Sequence, residues 1–115
     1  MAANAWTIHY AMIEYIHDNT IDLEGNTIVM RLYAVGSNVN DSTREDASTA
    51  TSELSTANGY TNGGTTVTLT ISRALGVVKV DCSNGSWTAS GAGLSARFAA
   101  VVNTTPATDV ILFST

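Results

Sequence analysis

Thr65-Thr66-Val67-Thr68-Leu69-Thr70-Ile71-Ser72 decides how this chain is read. Val67, Leu69 and Ile71 alternate with Thr66, Thr68, Thr70 and Ser72, the period of two that marks a half-buried β-strand. Just upstream, Asn58-Gly59-Tyr60-Thr61-Asn62-Gly63-Gly64 supplies the backbone freedom for a turn into that strand. Working outward, residues 65–73, 76–82, 87–89, 94–103 and 109–113 read as strands at short spacing. Asn84-Gly85 and Gly91-Ala92-Gly93 mark tight connections between them. Pro106 falls in the last loop, where a missing amide donor does no harm.

Toward the N-terminus, residues 27–35 are apolar on both faces, as expected of a central strand covered on both sides. Residues 5–17 carry Ala5, Ile8, Met12, Tyr15 and Ile16 at helical spacing, with Asn4 as the expected N-cap and Asp18-Asn19 as the exit. Trp6 and Tyr10 lie on the other side of that expected helix and are candidate anchors for a partner, because aromatic residues concentrate at interface hot spots. Residues 36–64 are polar and weakly patterned. Ser42-Thr43-Arg44-Glu45 has the spacing of a capping box and predicts a short helical start there. An excursion of that length is the expected place for reaching a neighbour. The prediction is one domain over residues 1–115, mainly β: an antiparallel β-sandwich, with a jelly roll as a candidate topology, and one N-terminal α-helix.

Composition limits the function classes. The chain has 115 residues, 44% hydrophobic and only 13% charged, against a usual charged share of roughly 25%. Its net charge is −5, and its cations are scattered at Arg31, Arg44, Arg73, Lys79 and Arg97. A phosphate backbone needs clustered Lys and Arg, so nucleic acid is not an expected partner, and an anionic membrane surface is disfavoured likewise. Cys82 is the single cysteine and falls in step with Val78 and Val80, which predicts an inert thiol on a strand's apolar face. No signal peptide or membrane span is expected.

Little in the pattern points to chemistry. His9 and His17 stand eight residues apart, outside chelating reach on one helix, and read as surface histidines. Asp18, Asp22 and Glu24 do not have calcium-loop spacing. No nucleophile elbow, phosphate loop or dinucleotide loop is present, so neither catalysis nor a cofactor or metal is expected.

Several elements, taken in order, resemble a family. They are Ala3-Asn4-Ala5-Trp6, Thr20-Ile21-Asp22-Leu23, Ile28-Val29-Met30-Arg31-Leu32-Tyr33, Glu53-Leu54-Ser55, Asn58-Gly59-Tyr60-Thr61-x-Gly63-Gly64, Trp87-Thr88-Ala89 and Ala96-Arg97-Phe98-Ala99. The order resembles small structural proteins of tailed-bacteriophage virions, most of all the head decoration (cement or staple) proteins. Arg97 departs from the more usual aromatic at its position. The resemblance implies a virion protein made in the bacterial host cytoplasm and carried on the capsid surface. It would stabilise the shell by bridging major capsid protein subunits and would self-associate as a homo-oligomer there. It brings no catalytic residues. A tail, fibre or head-tail connector component, binding host-surface glycans through Trp6 or Trp87, is the alternative. The expected interface residues are Trp6, Tyr10, Glu53, Asn58 and Tyr60.

Overall fold

A computed structural model of the chain describes residues 5–115. The fold is mainly β and antiparallel, with one α-helix. Asn4, the expected N-cap, lies outside the described residues.

Strands β1 (Thr7–Ile8), β2 (Ile28–Tyr33), β3 (Thr65–Val67), β6 (Phe98–Asn103) and β7 (Val110–Ser114) form one sheet in the order β1-β7-β6-β2-β3. Strands β4 (Leu69–Ala74) and β5 (Val77–Cys82) form a separate two-stranded ribbon. The decisive stretch therefore serves both sheets. Val67 pairs with Ile28 in the large sheet, Leu69 pairs with Cys82 in the ribbon, and the chain crosses between them at Thr68. Thr68 is held there on both sides, its amide donating to Ser83 Oγ (2.8 Å) and its carbonyl accepting from the Ser83 amide (2.8 Å). One unbroken strand over 65–73 is thus corrected to two, because tertiary pairing splits a run whose side-chain alternation never falters. The base of the ribbon covers part of one face of the large sheet. The eight strands of a jelly roll are not among the seven described.

Alternation gives the large sheet two apolar faces. On one, Ile28, Val67, Val101 and Leu112 meet Ala11 and Met12 of the helix, then Ile21, Leu23 and Leu69. On the other, Tyr33, Ala100, Val102 and Ile111 meet Val39 and Ala47 of the long excursion. Each Val, Leu, Ile or Met side chain so buried contributes about 1.5–3 kcal/mol. Strand β2 lies between β6 and β3, the central position that its sequence predicts.

The helix α1 (Tyr10–His17) starts later than its periodicity suggests. Residues 7 and 8 instead pair with Ser114 and Phe113 of β7, and the His9 amide donates to the Leu112 carbonyl at 2.8 Å. A bulge in β7, where the register with β6 shifts between Val101 and Val102, brings Leu112 into that position. Sheet pairing outcompetes the helical pattern of Ala5 and Ile8. The buried face of the helix shifts accordingly: Ala11 and Met12 face the core, whereas Ile13 and Ile16 are exposed.

The capping box at Ser42 opens no helix. The cap is Asp46, whose side chain accepts from the Ser48 amide at 2.8 Å at the head of a single 3-10 turn, Ala47–Thr49. Residues 87–89 form no strand, and the strand expected from residue 94 begins at Phe98.

Candidate interaction surface

The excursion that was expected to reach outward is stitched into the fold. Ala34 donates to the Ser52 carbonyl (2.8 Å) and Leu54 to the Leu32 carbonyl (3.0 Å), so residues 52–54 extend the edge of β2 beyond β3. Ala57 and Tyr60 exchange backbone hydrogen bonds of 3.0 Å across Asn58 and Gly59. Both linking residues have positive φ, 56° and 95°, the geometry of a two-residue primed turn. A Cβ on Gly59 would run into the Thr88 carbonyl, so only glycine fits.

That turn sends Tyr60 inward. Tyr60 is 2% exposed, its hydroxyl donating to Glu53 Oε1 (2.8 Å) and accepting from the Leu32 amide (3.1 Å). Burial, opposed by the Leu32 hydrogen bond and reinforced by Glu53, pushes the phenol pKa up. Glu53 Oε1 also accepts from the Gly63 amide at 2.7 Å, and the Gly63 carbonyl accepts from Arg31 Nε at 3.2 Å. Arg31 completes the chain with an ion pair to Asp109 at 2.8 Å. Trp87 lies half-buried against Tyr60, ring centroids 5.9 Å apart. Glu53 and Tyr60, two of the expected contact residues, therefore act inside the molecule. Asn58 is half-buried in the turn, its carbonyl accepting from the Ser90 amide at 2.9 Å. The expectation of an accessible Tyr60 is corrected: the Asn-Gly-Tyr-Thr-x-Gly-Gly element is a device for closing this loop.

Trp6 and Tyr10 remain at the surface but are not stacked on one helix. Trp6 precedes β1, is 44% exposed and packs edge-on against Phe113 with centroids 5.4 Å apart. Tyr10 opens α1 and is 63% exposed. With Ile13 and Ile16 it makes an apolar stripe on the outer side of the helix, beside the exposed Glu14 and Asp18.

The surface that sequence reasoning missed is the ribbon. Its base is packed, with Leu69 buried and Val80 and Cys82 against the core. Burial there pushes the Cys82 thiol pKa up, in line with an inert cysteine. Beyond the base the ribbon is exposed: Ile71, Val77 and Val78 carry apolar area into solvent, and Leu75 at the tip is fully exposed. The readable signal was Leu75-Gly76 between two strand-like runs, a tight hairpin with apolar flanks. Two adjoining clefts of about 400 and 280 Å³ separate this arm from Trp6 and Phe113, the larger also lined by Asp81 and Asn84.

His9, read from sequence as a surface histidine, is fully buried; its ring spans the Arg44 carbonyl (2.7 Å) and Ser114 Oγ (2.8 Å). His17 is exposed, its Nδ1 2.7 Å from the Ile13 carbonyl. Among the described residues, no three His, Cys, Asp or Glu side chains gather as a metal site. Among the described residues, no helix is long and apolar enough to cross a membrane. Comparison with family models, curated proteins and solved structures finds no match.

Proposed function

We propose that this chain is a structural protein of a bacteriophage virion that decorates the capsid, bridging major capsid protein subunits on the outer surface. The observation that carries the reading is the presence of two separate exposed apolar patches, the ribbon tip and the outer side of α1, on one weakly charged body. A bridge needs two contact patches and no reactive centre. Repetition over a symmetric shell then turns modest contacts into firm retention. Low charge favours this use, since Thr, Ser and Val cost little entropy to immobilise at an interface. The resemblance of its ordered sequence elements to decoration proteins motivates the same reading.

Adding purified protein to undecorated shells tests it. Saturable binding at hundreds of copies per particle, with a raised shell-disruption temperature, is the expected result. No binding, or a handful of copies per virion, would sink it. The larger cleft favours one second reading: an exposed indole beside Asp81, Ser83 and Asn84 has the chemistry to hold a sugar ring. A tail, fibre or connector component binding host glycans would use it so, and the low copy number is its mark.

A further inference from the structure

We propose that this chain associates with copies of itself head to tail, the β4–β5 arm of one copy seating against the outer side of α1 on the next. This needs no shell to operate, and because it draws on the same two patches as the bridging contact, joined copies would leave an arm and a helix side free for a capsid only at the ends of an open row. The first ground is how little of the arm its own copy covers: beyond the packed base, the Ile71 amide donating to Glu24 Oε2 at 3.2 Å ties it to the body. A two-stranded ribbon alone in water is marginal, and here every residue from Thr70 to Lys79 is exposed.

The second ground is Leu75. It sits at the first position of the two-residue turn with φ 51°, Gly76 following at φ 75°. A branched residue is disfavoured in that left-handed region, and Asn or Gly fits such a turn far better. Leu75 is fully exposed, so no burial within the copy offsets the cost. A leucine held at a strained, solvent-facing tip is explained by burial against something else.

Charge says what that something is. The arm carries Arg73 and Lys79 against Asp81, a net positive element in a chain of net charge −5. The Lys79–Asp81 contact is long (3.7 Å) and exposed on both sides, which leaves Lys79 free to pair elsewhere. The first thirty residues contain Glu14, Asp18, Asp22 and Glu24 and no Lys or Arg. On α1, the stripe of Tyr10, Ile13 and Ile16 lies beside Glu14 and Asp18. Apolar tip therefore meets apolar stripe, and the arm's cations meet the helix's acids. Within one copy the arm turns toward Ile8, Met12 and Phe113, across the 280 Å³ cleft, so its own helix's outer side stays uncovered. Two different patches joined in this way give a heterologous contact, which closes into a ring or continues as a filament.

Sedimentation velocity on the full chain, over rising concentration at low and high salt, is the test. The expected result is a mass above one chain that grows with concentration and shrinks with salt. Leu75→Asn should keep or raise the melting temperature and weaken association about tenfold or more. Arg73→Glu/Lys79→Glu and Glu14→Lys/Asp18→Lys should each be monomeric alone. Mixed, they should assemble, because each reversed arm meets a reversed helix and each native arm a native one. A wild-type chain that stays monomeric throughout would overturn the proposal. So would association that survives Leu75→Asn, or two charge variants that do not combine. Failure of arm variants on shells with a monomeric wild type would assign the arm to another partner and end this inference, while leaving the capsid role standing.

Discussion

At the scale of the residue, Tyr60 shows how one hydroxyl can organise a loop. It completes the hydrogen bonding of the Leu32 amide on a sheet strand and of Glu53 in the excursion. Tyr60→Phe keeps the ring and its contact with Trp87 but strands the Leu32 amide, while Glu53 Oε1 keeps its bond from the Gly63 amide. An unsatisfied buried group costs about 1–3 kcal/mol, and in a domain of 115 residues each kcal/mol lowers the melting temperature by roughly 4 °C. The variant should melt several degrees lower in a thermal scan, with its far-ultraviolet spectrum and surface contacts unchanged. A drop of under a degree would show that the pairing is not structural. The Tyr33 hydroxyl is a contrasting case, buried and without a hydrogen-bond partner among the described residues. Tyr33→Phe is therefore expected to be nearly neutral in the same scan, which makes the pair of variants a check on whether bonding or ring burial is measured.

At the scale of the element, turns carry the constraints that strands do not. Gly59 and Gly76 both have positive φ, yet only Gly59 faces an obstacle, the Thr88 carbonyl, while a Cβ on Gly76 would meet open space. Gly59→Ala should therefore lower the denaturation midpoint much further than Gly76→Ala, whose cost is about 1–2 kcal/mol of backbone strain alone. Equal losses would mean that backbone strain, and not the collision, dominates at both. The same turns explain what the sequence made legible. Alternation over residues 65–72 is plain in the text, because side-chain faces follow a strand's own period, and so is the mainly β class. The crossing at Thr68 is not, since it depends on which strand lies alongside. Likewise Ile8 and Met12 fit a helical stripe, and only the distant β7 decides that residues 7 and 8 extend as a strand. At the candidate surface, Trp6 and Tyr10 stood out as aromatics but were placed on one helix. Glu53 and Tyr60 stood out as part of a recognisable element whose purpose is internal. Leu75 falls between two expected strands and Val77 and Val78 read as ordinary strand residues, because exposure at a ribbon tip comes from the ribbon having no third strand.

At the scale of the whole molecule, closure depends on joining the first described strand, β1, to β7. His9 ties the two to the excursion. The Arg44 carbonyl can only accept, so His9 Nδ1 carries the proton and Nε2 accepts from the Ser114 hydroxyl. Burial lowers the His9 pKa below its ordinary 6.5, outweighing the opposing pull of the Arg44 carbonyl and Asp41. The unfolded chain therefore binds a proton more readily than the folded one. Stability from this group is complete above pH 6.5 and falls as the pH drops below it, until the folded histidine also titrates. The slope is at most about 1.4 kcal/mol per pH unit. Asp41, held below its ordinary range mainly by hydrogen bonds from Thr43, adds its own loss only in a more acidic window, under pH 3.8. Denaturant titrations between pH 7.5 and 5 should thus show falling stability for the native chain. His9→Gln can keep both hydrogen bonds, with a lower but flat stability over the same interval. A native curve as flat as the variant's would mean that the folded imidazole is protonated as easily as a free one, and that the tie between β1, β7 and the excursion does not sense acid.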